Sequence, residues 1–542
     1  AMAAGGAPGA ETPCGAAPER EPEGQDPDAW FSWGNRLDEQ GRYDAAARAY
    51  RRSLEAAQAG GEAAADLAGT WLNLGHALRS AGRLREAREA WETSLASSTD
   101  QERRARAVLL SRGEVEVGAE GVGSHAVRNA LRELGAFDET MMQCVACASG
   151  QTLTGADLHR LRREDACPIL ASLTTPQRAF ACLFCIGSGM LMVEVQAALP
   201  QAALSTLIAC GLLSVVIGDM CIGAVQIYPF RGLLLMTDWP SQTLGPPGDP
   251  VMAIGTDSLE LCHCLGDGLG GISLISGASV LDLCTGSGIA AIHAARCGAR
   301  HVAAVDLSPR ACAFARANAA LNEVVLDVRQ GDLYQALGPS GACAADVVLA
   351  NPPFVAAPVG PERTPTLYVD GGPDGLAVTA RVLCGAQECF ERGGVCIIVG
   401  EFPNLQSAQD GAAMEGLRAR LPVIPALLDL AVVYADSHVQ TAEQYASDRA
   451  ESAHDAVAWE ASLRRHGVLS MVSGLLVACM GGKRQGARGG AHAEYRRVAW
   501  DARDADESWI NEAQRESALQ TVRSVLSAAL RRAQLLDATD AS

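Results

Sequence analysis

Apolar and polar positions follow different periods along this chain of 542 residues. From residue 279 onward, short apolar runs typical of buried strands alternate with segments of helix length. The strand-like runs span 279–283, 302–306, 346–349 and 395–399, and the helical segments span 289–296, 309–321 and 377–391. Because strands joined through helices lie parallel in one sheet, this alternation predicts an α/β doubly wound sheet in the second half of the chain.

A second pattern, in the N-terminal part, repeats with an offset of 41 residues. The recurring positions are Trp33-Gly34, Leu37, Gly41, Ala46, Tyr50 and Leu54, then Leu74-Gly75, Leu78, Gly82, Ala87, Trp91 and Leu95. Their order resembles that of the tetratricopeptide repeat (TPR), whose unit of about 34 residues is lengthened here around Gly60. The pattern predicts two helical hairpins and a degraded third pair within 101–135. A plain helical bundle is the alternative.

Residues 150–245 predict a different kind of module. Helices are expected to begin at Thr154, Thr175 and Pro200, and 224–239 alternates in the manner of two paired strands. Helices followed by a small β element favour a winged-helix-like α+β module. The predicted domains are a disordered tail 1–28, TPR-like helical repeats 29–135, this module at 150–245, the α/β domain at 246–500 and a C-terminal helical tail 501–542.

Composition narrows the class of protein. Apolar residues make up 48% and charged residues 20%, which is ordinary for folded soluble domains. The net charge of −19 disfavours a protein that coats nucleic acid without selectivity, although a local basic groove stays compatible with it. Lys483 is the only lysine, which excludes Schiff-base chemistry elsewhere in the chain.

The 18 cysteines lie mostly within apolar runs, which indicates reduced core thiols. Cys144/Cys147 and Cys182/Cys185 have zinc-ligand spacing but lack glycine knuckles and paired histidines, so no metal site is predicted. The N-terminus shows neither a basic start nor an apolar core, and polar residues interrupt the uncharged stretch 195–218. We therefore expect a cytoplasmic protein with two buried helices in that stretch and no membrane partner.

The strongest chemical signal follows the first strand of the α/β domain, where 280–288 reads Val-Leu-Asp-Leu-Cys-Thr-Gly-Ser-Gly. Gly286 and Gly288 let the backbone approach a ligand that any Cβ would meet, at the sheet edge where parallel strands end. Taken alone, the turn is compatible with a nucleotide site and with a tight turn that holds no ligand. Asp306 comes 24 residues after Asp282, at the end of the next strand, where an acid can accept both hydroxyls of a ribose.

Two further elements follow in order. Asp332 comes after the next strand region and could receive the exocyclic amine of an adenine, and the strand after it ends in Asn351-Pro352-Pro353-Phe354. A glycine turn, two acids and this motif in this order are specific. The sequence resembles the class I S-adenosylmethionine-dependent methyltransferases, in the branch that carries an Asn-Pro-Pro-aromatic motif and methylates nitrogen.

The resemblance covers roughly 246–500 and implies a Rossmann-like fold with S-adenosyl-L-methionine as cofactor. It implies that the methionyl part of the cofactor is held by Asp282, Gly286 and Gly288, the ribose by Asp306 and the adenine by Asp332. The usual first motif has a glycine at the position of Cys284. A cysteine there is similar to what some glutamine-methylating members carry.

The motif Asn351-Pro352-Pro353-Phe354 suits a nitrogen whose lone pair is delocalised into a ring or a carbonyl. The side-chain oxygen of Asn351 and the carbonyl of Pro352 can accept the two N–H groups and turn the lone pair toward the methyl group. Phe354 stacks on the planar group. Catalysis then rests on positioning and electrostatics, and no general base of high pKa is required.

The acceptor stays open between two macromolecules. The segment 371–376, Gly-Gly-Pro-Asp-Gly-Leu, resembles release-factor glutamine N5-methyltransferases and favours a protein glutamine. Phenylalanine at 354 is similar to ribosomal RNA guanine-N2 and adenine-N6 methyltransferases, and a winged-helix-like module also suits nucleic-acid binding. The repeats predict docking of a protein partner. The alternative class is a non-enzymatic TPR adaptor in which the methyltransferase fold serves as a scaffold.

Overall fold

The structure is a computed structural model that describes residues 22–97, 125–134 and 170–481 with gaps, and the backbone of 494–500. The longer internal gaps are 240–249, 267–274, 359–366 and 406–415. The chain divides into two compact units, Ala1–Asp100 and Gln101–Ser542. Several predicted features lie outside the described residues, namely most of the tail 1–28, the Cys144/Cys147 pair, the helix expected at Thr154 and the tail 501–542.

Four helices make up the described part of the first unit. Helices α1 to α4 span Pro27–Glu39, Tyr43–Ala59, Ala68–Ser80 and Leu84–Ser97. A Cβ on Gly34 would lie 2.6 Å from the ring of Tyr50, and one on Gly75 would lie 2.1 Å from the ring of Trp91. In each helix pair, therefore, a glycine on the first helix lets an aromatic side chain of the second helix close against it.

A second set of equivalent contacts joins the helices of each pair. The Oγ of Ser53 donates to the carbonyl of Pro27 at 2.9 Å, and the Oγ of Ser94 donates to the carbonyl of Ala68 at 2.6 Å. Both members of the second contact lie 41 residues after those of the first. The two helical hairpins are present with the predicted offset, while their assignment to the tetratricopeptide family stays a prediction.

Short helices and small sheets open the described part of the second unit. Helices α5 to α8 span His125–Glu133, Thr175–Phe180, Met192–Ala198 and Gln201–Ala209, with a π-helical turn Ala181–Ile186 after α6. Strands β1 to β5 span Met190–Leu191, Leu213–Val216, Met220–Gly223, Gln226–Phe230 and Leu233–Thr237. The first three form a sheet in the order β1-β3-β2, and β4 and β5 form an antiparallel hairpin. The winged-helix-like assignment of this region stays a prediction.

Helix α5 differs from the sequence expectation, which placed it among the repeats. Its apolar residues Val127 and Leu131 are buried in the core of the second unit. Arg128 forms an ion pair of 2.7 Å with Glu323 and donates to the carbonyl of Ala320 at 3.0 Å. The apolar face of α5 is thus covered within the second unit, where it packs on α8.

Helices α7 and α8 cover the first part of the uncharged stretch 195–218, and strand β2 lies near its end. Both helices have exposed as well as buried residues, so the expectation of two buried helices is wrong. Within the described part of the chain, no single helix is long and apolar enough to cross a membrane. These two helices reach the required length and composition only as a pair, and they are bent against each other by 119°.

A nine-stranded sheet forms the centre of the second unit. Strands β6 to β14 span Ser279–Leu283, His301–Asp306, Asp327–Gln330, Val347–Ala350, Gly393–Pro403, Leu427–Ala435, Gln440–Thr441, Ser470–Gly481 and Glu494–Trp500. The main order is β14-β11-β13-β10-β9-β6-β7-β8, and β12 pairs with β13. From β10 to β8 all neighbours are parallel, whereas β13 runs antiparallel to β10 and β11. The predicted parallel sheet is confirmed, and an antiparallel part extends it.

Helices cover both faces of the parallel strands. Helices α9 to α14 span Thr256–Leu265, Ile289–Arg296, Pro309–Leu321, Ala377–Ala386, Ala442–Arg449 and Ala453–Arg465, and a 3₁₀ turn spans Leu333–Leu337. Val280 and Val302 belong to one core, together with α10 and α11, whereas Leu281 and Val348 belong to another, together with α12. Burial on both faces explains why these strands appear in the sequence as nearly continuous apolar runs.

Strand β10 and helix α12 differ most from the sequence prediction. Strand β10 continues beyond 395–399 at both ends, because it pairs with β13 from Gly393 to Pro403. Helix α12 ends at Ala386, where 377–391 was expected. Turn hydrogen bonds follow the helix and bring Phe390 into the core, where it is fully buried.

The β4–β5 hairpin docks on α11 through two asparagines one helical turn apart. The side-chain amide of Asn318 accepts from the N–H of Met236 at 2.8 Å and donates to the carbonyl of the same residue at 2.9 Å. Asn322 makes the same pair of bonds with Leu234, at 2.9 and 2.8 Å. Four helical residues rise about 6 Å and two strand residues about 6.6 Å, so the two side chains match alternate positions of the strand edge. Asn318 also donates to the carbonyl of Ser287 at 2.8 Å.

We expect Asn318→Ala to lower the free energy of unfolding by about 3 kcal/mol or more. The change leaves the N–H and carbonyl of Met236 and the carbonyl of Ser287 without a partner, and each buried unpaired group costs about 1–3 kcal/mol. Asn322→Ala is the matched control, since Asn322 is only partly buried and should cost less. Urea unfolding of both variants measures the difference. Equal losses in the two variants would contradict this account of the docking.

Candidate active site

The turn after β6 carries three left-handed residues in close succession. The φ angle is +57° at Cys284, +54° at Gly286 and +84° at Gly288, values that are uncommon for residues with a Cβ. A Cβ on Gly288 would lie 3.1 Å from the Cα of Ala315 on α11, whereas nothing lies within 4 Å of a Cβ on Gly286. Gly288 therefore lets the turn approach α11, and Gly286 leaves the backbone open to the space at the sheet edge.

Asp282 lies beneath this turn and is 1% exposed. Its Oδ2 accepts from the Oγ1 of Thr285 at 2.5 Å and from the N–H of Ala291 at 3.2 Å. The carboxyl group thus joins the end of β6 to the turn and to the first residues of α10. Burial raises the pKa of Asp282 to about 7, because the charged form loses its hydration there. The group is poised between its neutral and charged forms near neutral pH.

Asp306 ends β7, the neighbour of β6 in the sheet. Its Oδ2 accepts from the N–H of Gly286 at 2.9 Å, and its Oδ1 accepts from the N–H of Ser308 at 2.9 Å. Burial raises the pKa of this carboxyl group as well. Asp306 lines the cavity, and a carboxylate can accept more than two hydrogen bonds, so the predicted ribose role is compatible with these contacts.

Asp332 follows β8 and has a partner that the sequence did not indicate. Its Oδ2 accepts from the Nη2 of Arg381 on α12 at 2.7 Å. The Asp332 side chain is 37% exposed and that of Arg381 is 51% exposed. An adenine amine at this position would share the carboxylate with the guanidinium, since the second oxygen stays an acceptor.

Asn351 stands at the end of β9, followed by Pro352, Pro353 and Phe354. Its Nδ2 donates to the Oδ2 of Asp257 at 2.8 Å and to the Oγ of Ser258 at 3.1 Å. Both acceptors lie in the first turn of α9. The Asn351 and Phe354 side chains are partly buried, as expected of groups at the wall of a cavity.

The glycine-rich segment 371–376 lies directly against the motif. A Cβ on Gly371 would lie 2.6 Å from the Cα of Phe354, and one on Gly375 would lie 2.5 Å from the carbonyl oxygen of Phe354. The N–H of Val355 donates to the carbonyl of Val369 at 2.9 Å, and the N–H of Gly371 donates to the carbonyl of Val355 at 2.9 Å. These glycines therefore let one chain segment pack on the backbone of the other.

All these groups meet in one cavity of about 410 Å³, a size typical of ligand sites. Every predicted site residue lines it except Gly288, namely Asp282, Gly286, Asp306, Asp332, Asn351, Pro352 and Phe354. The acidic residues of the described wall also include Asp257 and Asp370, and Arg381 is the basic residue there. The cavity therefore favours a cationic or neutral ligand over an anionic one.

Comparison with known proteins adds to this geometry. The ribosomal protein L11 methyltransferase (PrmA) family model matches residues 249–361. The release factor glutamine methyltransferase of Mycolicibacterium smegmatis is 30% identical over 234 residues, which are 36% of this chain and 82% of that protein. The chain belongs to the class I S-adenosylmethionine-dependent methyltransferases.

Other relatives match a shorter part of their own length. The ribosomal protein uL3 glutamine methyltransferase of Bordetella pertussis is 37% identical over 144 residues, 23% of this chain and 47% of that protein. The chain thus spans about half the length of this relative. Among solved structures, the ribosomal protein L11 methylase of Lactobacillus delbrueckii covers 30% of this chain and 69% of its own, at 21% identity and a TM-score of 0.20.

The cavity of this methyltransferase fits the cofactor of its family. The open space at Gly286 admits a ligand against the backbone, and acids stand at the ends of adjacent parallel strands. Asp282, with the turn around it, would hold the methionyl part, Asp306 the ribose and Asp332 the adenine. The cofactor carries a sulfonium cation, which an acidic cavity stabilises.

The lining residues that the sequence patterns did not indicate include Asp257, Ser258, Arg381 and Leu307. Leu307 directly follows Asp306 and is 49% exposed. An exposed apolar side chain at that position offers a surface for a planar base. Asp257 and Ser258 open a helix after Gly255, and this helix start was the one sequence signal that could have drawn attention to them.

The methyltransferase motif is also supported from the C-terminal side of the chain. The N–H of Ala356 donates to the Oη of Tyr445 at 3.0 Å, and the Nε1 of Trp459 donates to the carbonyl of Ala356 at 2.8 Å. The Oη of Tyr445 donates in turn to buried Glu401, which also forms an ion pair with Arg449. The backbone just after Phe354 is therefore held by α13, α14 and the end of β10.

The affinity of this methyltransferase for S-adenosylmethionine should rise with pH between about 6 and 7.5. Without ligand, Asp282 takes up a proton as the pH falls through about 7. A cation bound nearby favours the carboxylate, so binding releases a proton and weakens below that pH. Calorimetry in two buffers of different ionisation enthalpy measures the released proton. In Asp282→Asn the pH dependence should vanish, and a slope that persists there would assign it to another group.

We expect Tyr445→Phe to slow methyl transfer at unchanged cofactor affinity. It leaves the N–H of Ala356 and a buried oxygen of Glu401 unpaired, at about 1–3 kcal/mol each, and frees the backbone next to the motif. Tyr434→Phe is the matched control, because the Oη of Tyr434 donates to the carbonyl of Leu405 at 3.2 Å, away from the cavity. Single-turnover kinetics and thermal unfolding on both variants check this. Equal rates in the two variants would refute the role of the Tyr445 contact.

Proposed function

We propose that this protein is an S-adenosylmethionine-dependent N-methyltransferase that modifies a planar amide nitrogen of a protein, in the first instance a glutamine side chain. The observation that carries the proposal is the position of Asn351-Pro352-Pro353-Phe354 in the same cavity wall as Asp282, Asp306 and Asp332. The motif follows β9, the parallel neighbour of β6, so an acceptor bound at the motif would face a cofactor bound at the three acids.

In the proposed reaction the cofactor supplies a methyl group on a sulfonium. The Oδ1 of Asn351 and the carbonyl of Pro352 accept the two N–H groups of the amide, and Phe354 packs on its plane. Turned out of conjugation, the nitrogen lone pair would be directed at that methyl group, whose transfer would leave the C–S electron pair on sulfur. The nitrogen then loses a proton to water. Positioning and electrostatic complementarity provide the acceleration.

Three observations favour a protein over an RNA acceptor. The cavity wall carries five aspartates against one arginine among its described residues, which disfavours a polyphosphate chain. The segment 371–376 packs on the motif through glycines, as described above. Relatives that this chain matches are named as glutamine methyltransferases of uL3 and of a release factor. The sequence predicts a cytoplasmic protein, and this location is consistent with an acceptor such as a ribosomal protein or a release factor.

The repeat unit gives a further part to this proposal. Its two helical hairpins present equivalent glycine–aromatic contacts, and we propose that TPR-like repeats of this kind dock a protein partner, as the sequence pattern predicts for 29–135. The non-enzymatic adaptor stays the alternative. Cofactor binding without any methyl transfer would favour the adaptor.

The test is tritium transfer from labelled S-adenosylmethionine to four purified acceptors: uL3, a release factor, ribosomal protein L11 and unmodified ribosomal RNA. We expect label on a glutamine side-chain amide of a protein. Asn351→Ala should lower the single-turnover rate by about 100-fold or more, and cofactor affinity should change by less than about threefold. Label on RNA bases alone would replace the protein acceptor. A full transfer rate in Asn351→Ala would refute nitrogen methylation through this motif.

A further inference from the structure

We infer that Asp257 is a positioning residue that fixes which end of the Asn351 amide faces the acceptor. The inference rests on the proposed function, because it concerns the acceptor site of the same reaction. Asp257 comes 94 residues before Asn351 in the chain, and α9, on which it lies, packs beside the sheet that bears the motif. No feature of the motif itself identifies it.

An asparagine amide has an acceptor end and a donor end, and the proposed chemistry needs the acceptor end in the cavity. Nothing in the asparagine decides this, since a rotation of about 180° around the last side-chain bond exchanges the two ends. A neighbour that is only an acceptor does decide it. The carboxylate of Asp257 is such a neighbour, because an ionised carboxyl group cannot donate a hydrogen bond.

The contacts agree with this requirement. The Nδ2 of Asn351 has two hydrogens and two acceptors, the Oδ2 of Asp257 at 2.8 Å and the Oγ of Ser258 at 3.1 Å. Both of its N–H groups are thereby directed to α9. The Oδ1 at the opposite end is left on the cavity side, and no donor to it is found among the described residues.

Helix α9 keeps the carboxylate itself in place. Asp257 is the second residue of the helix, next to the backbone N–H groups of the first turn that have no partner within the helix. The N-terminus of a helix favours negative charge. Reversing the Asn351 amide would set its oxygen against this carboxylate, and it would present an N–H to the N–H of the acceptor. Ser258 alone would not prevent the reversal, because a hydroxyl can donate as well as accept.

The transfer rate of Asp257→Asn tests this arrangement. The positive end of the helix favours the oxygen of the introduced carboxamide, so we expect its NH₂ to face Asn351. The Asn351 amide then turns its oxygen to that NH₂ and its own NH₂ to the cavity. We expect the single-turnover transfer rate to fall at least 100-fold, with S-adenosylhomocysteine affinity within threefold of the unaltered protein.

Exchanging the two side chains distinguishes a loss of the hydrogen-bond orientation at residue 351 from a general loss of local structure. Asn351→Asp alone places two carboxyl groups side by side and should also be slow. In the double variant Asp257→Asn/Asn351→Asp, one carboxylate oxygen accepts from the introduced NH₂ and the other again offers an acceptor to the amide. We expect the double variant to exceed each single variant at least tenfold. Glu443→Gln, the same chemical change at the exposed second residue of α13, is the control and should transfer at the normal rate.

A second readout needs no acceptor. The chain has eight asparagines, so selective ¹⁵N-asparagine labelling gives few side-chain signals, and Asn351→Ala identifies the pair that belongs to Asn351. That pair should shift in Asp257→Asn, because its N–H groups no longer donate to a carboxylate. Full transfer by Asp257→Asn, an unshifted pair, or a double variant no better than the single ones would overturn the inference. If Asn351→Ala itself transfers at the full rate, the proposed function fails first.

Discussion

The turn between β6 and α10 is the constraint on which the rest of this molecule depends. Three buried or partly buried side chains hold it from different elements: Asp282 from below, Asp306 from the neighbouring strand and Asn318 from α11. Each accepts or donates a hydrogen bond that the turn backbone or Thr285 could not otherwise make inside the protein. The same Asn318 also closes the edge of the β4–β5 hairpin. The β4–β5 hairpin and the turn after β6 therefore share one support.

The carboxyl groups around the cavity at this sheet edge have altered pKa values. Asp282, Asp306 and Asp257 all have a raised pKa because burial disfavours their charged forms. The cavity wall carries more acidic than basic residues among those described, so a ligand that brings a cation is favoured there. In the proposed reaction the sulfonium charge is lost on methyl transfer, and the same acids would then bind the product less tightly than the cofactor.

Much of this site could be predicted from sequence because its parts are local. Strand, glycine turn and terminal acid recur within one βα unit, and the structure brings Asp282, Asp306, Asp332 and Asn351 to one cavity as that order implies. The supporting residues could not be predicted in the same way. Asp257 and Tyr445 act over 94 and 89 residues of chain, and only tertiary packing brings them to the motif. The antiparallel extension of the sheet was missed for the same reason, since β13 gains its place by pairing with β10.

Asp257 and Tyr445 stabilise two different parts of the motif. Asp257, which precedes the motif in sequence, sets the direction of one side-chain amide, whereas Tyr445, which follows it, holds the peptide after Phe354. In the proposed reaction the side-chain oxygen of Asn351 needs both the right direction and the right position to accept from the substrate amide, so neither support can replace the other. Four motif residues are thus sufficient to suggest nitrogen chemistry, but they cannot perform it without α9 and α13 packed around them. The proposed acceptor site therefore depends on the contacts of Asp257 and Tyr445 as much as on the motif.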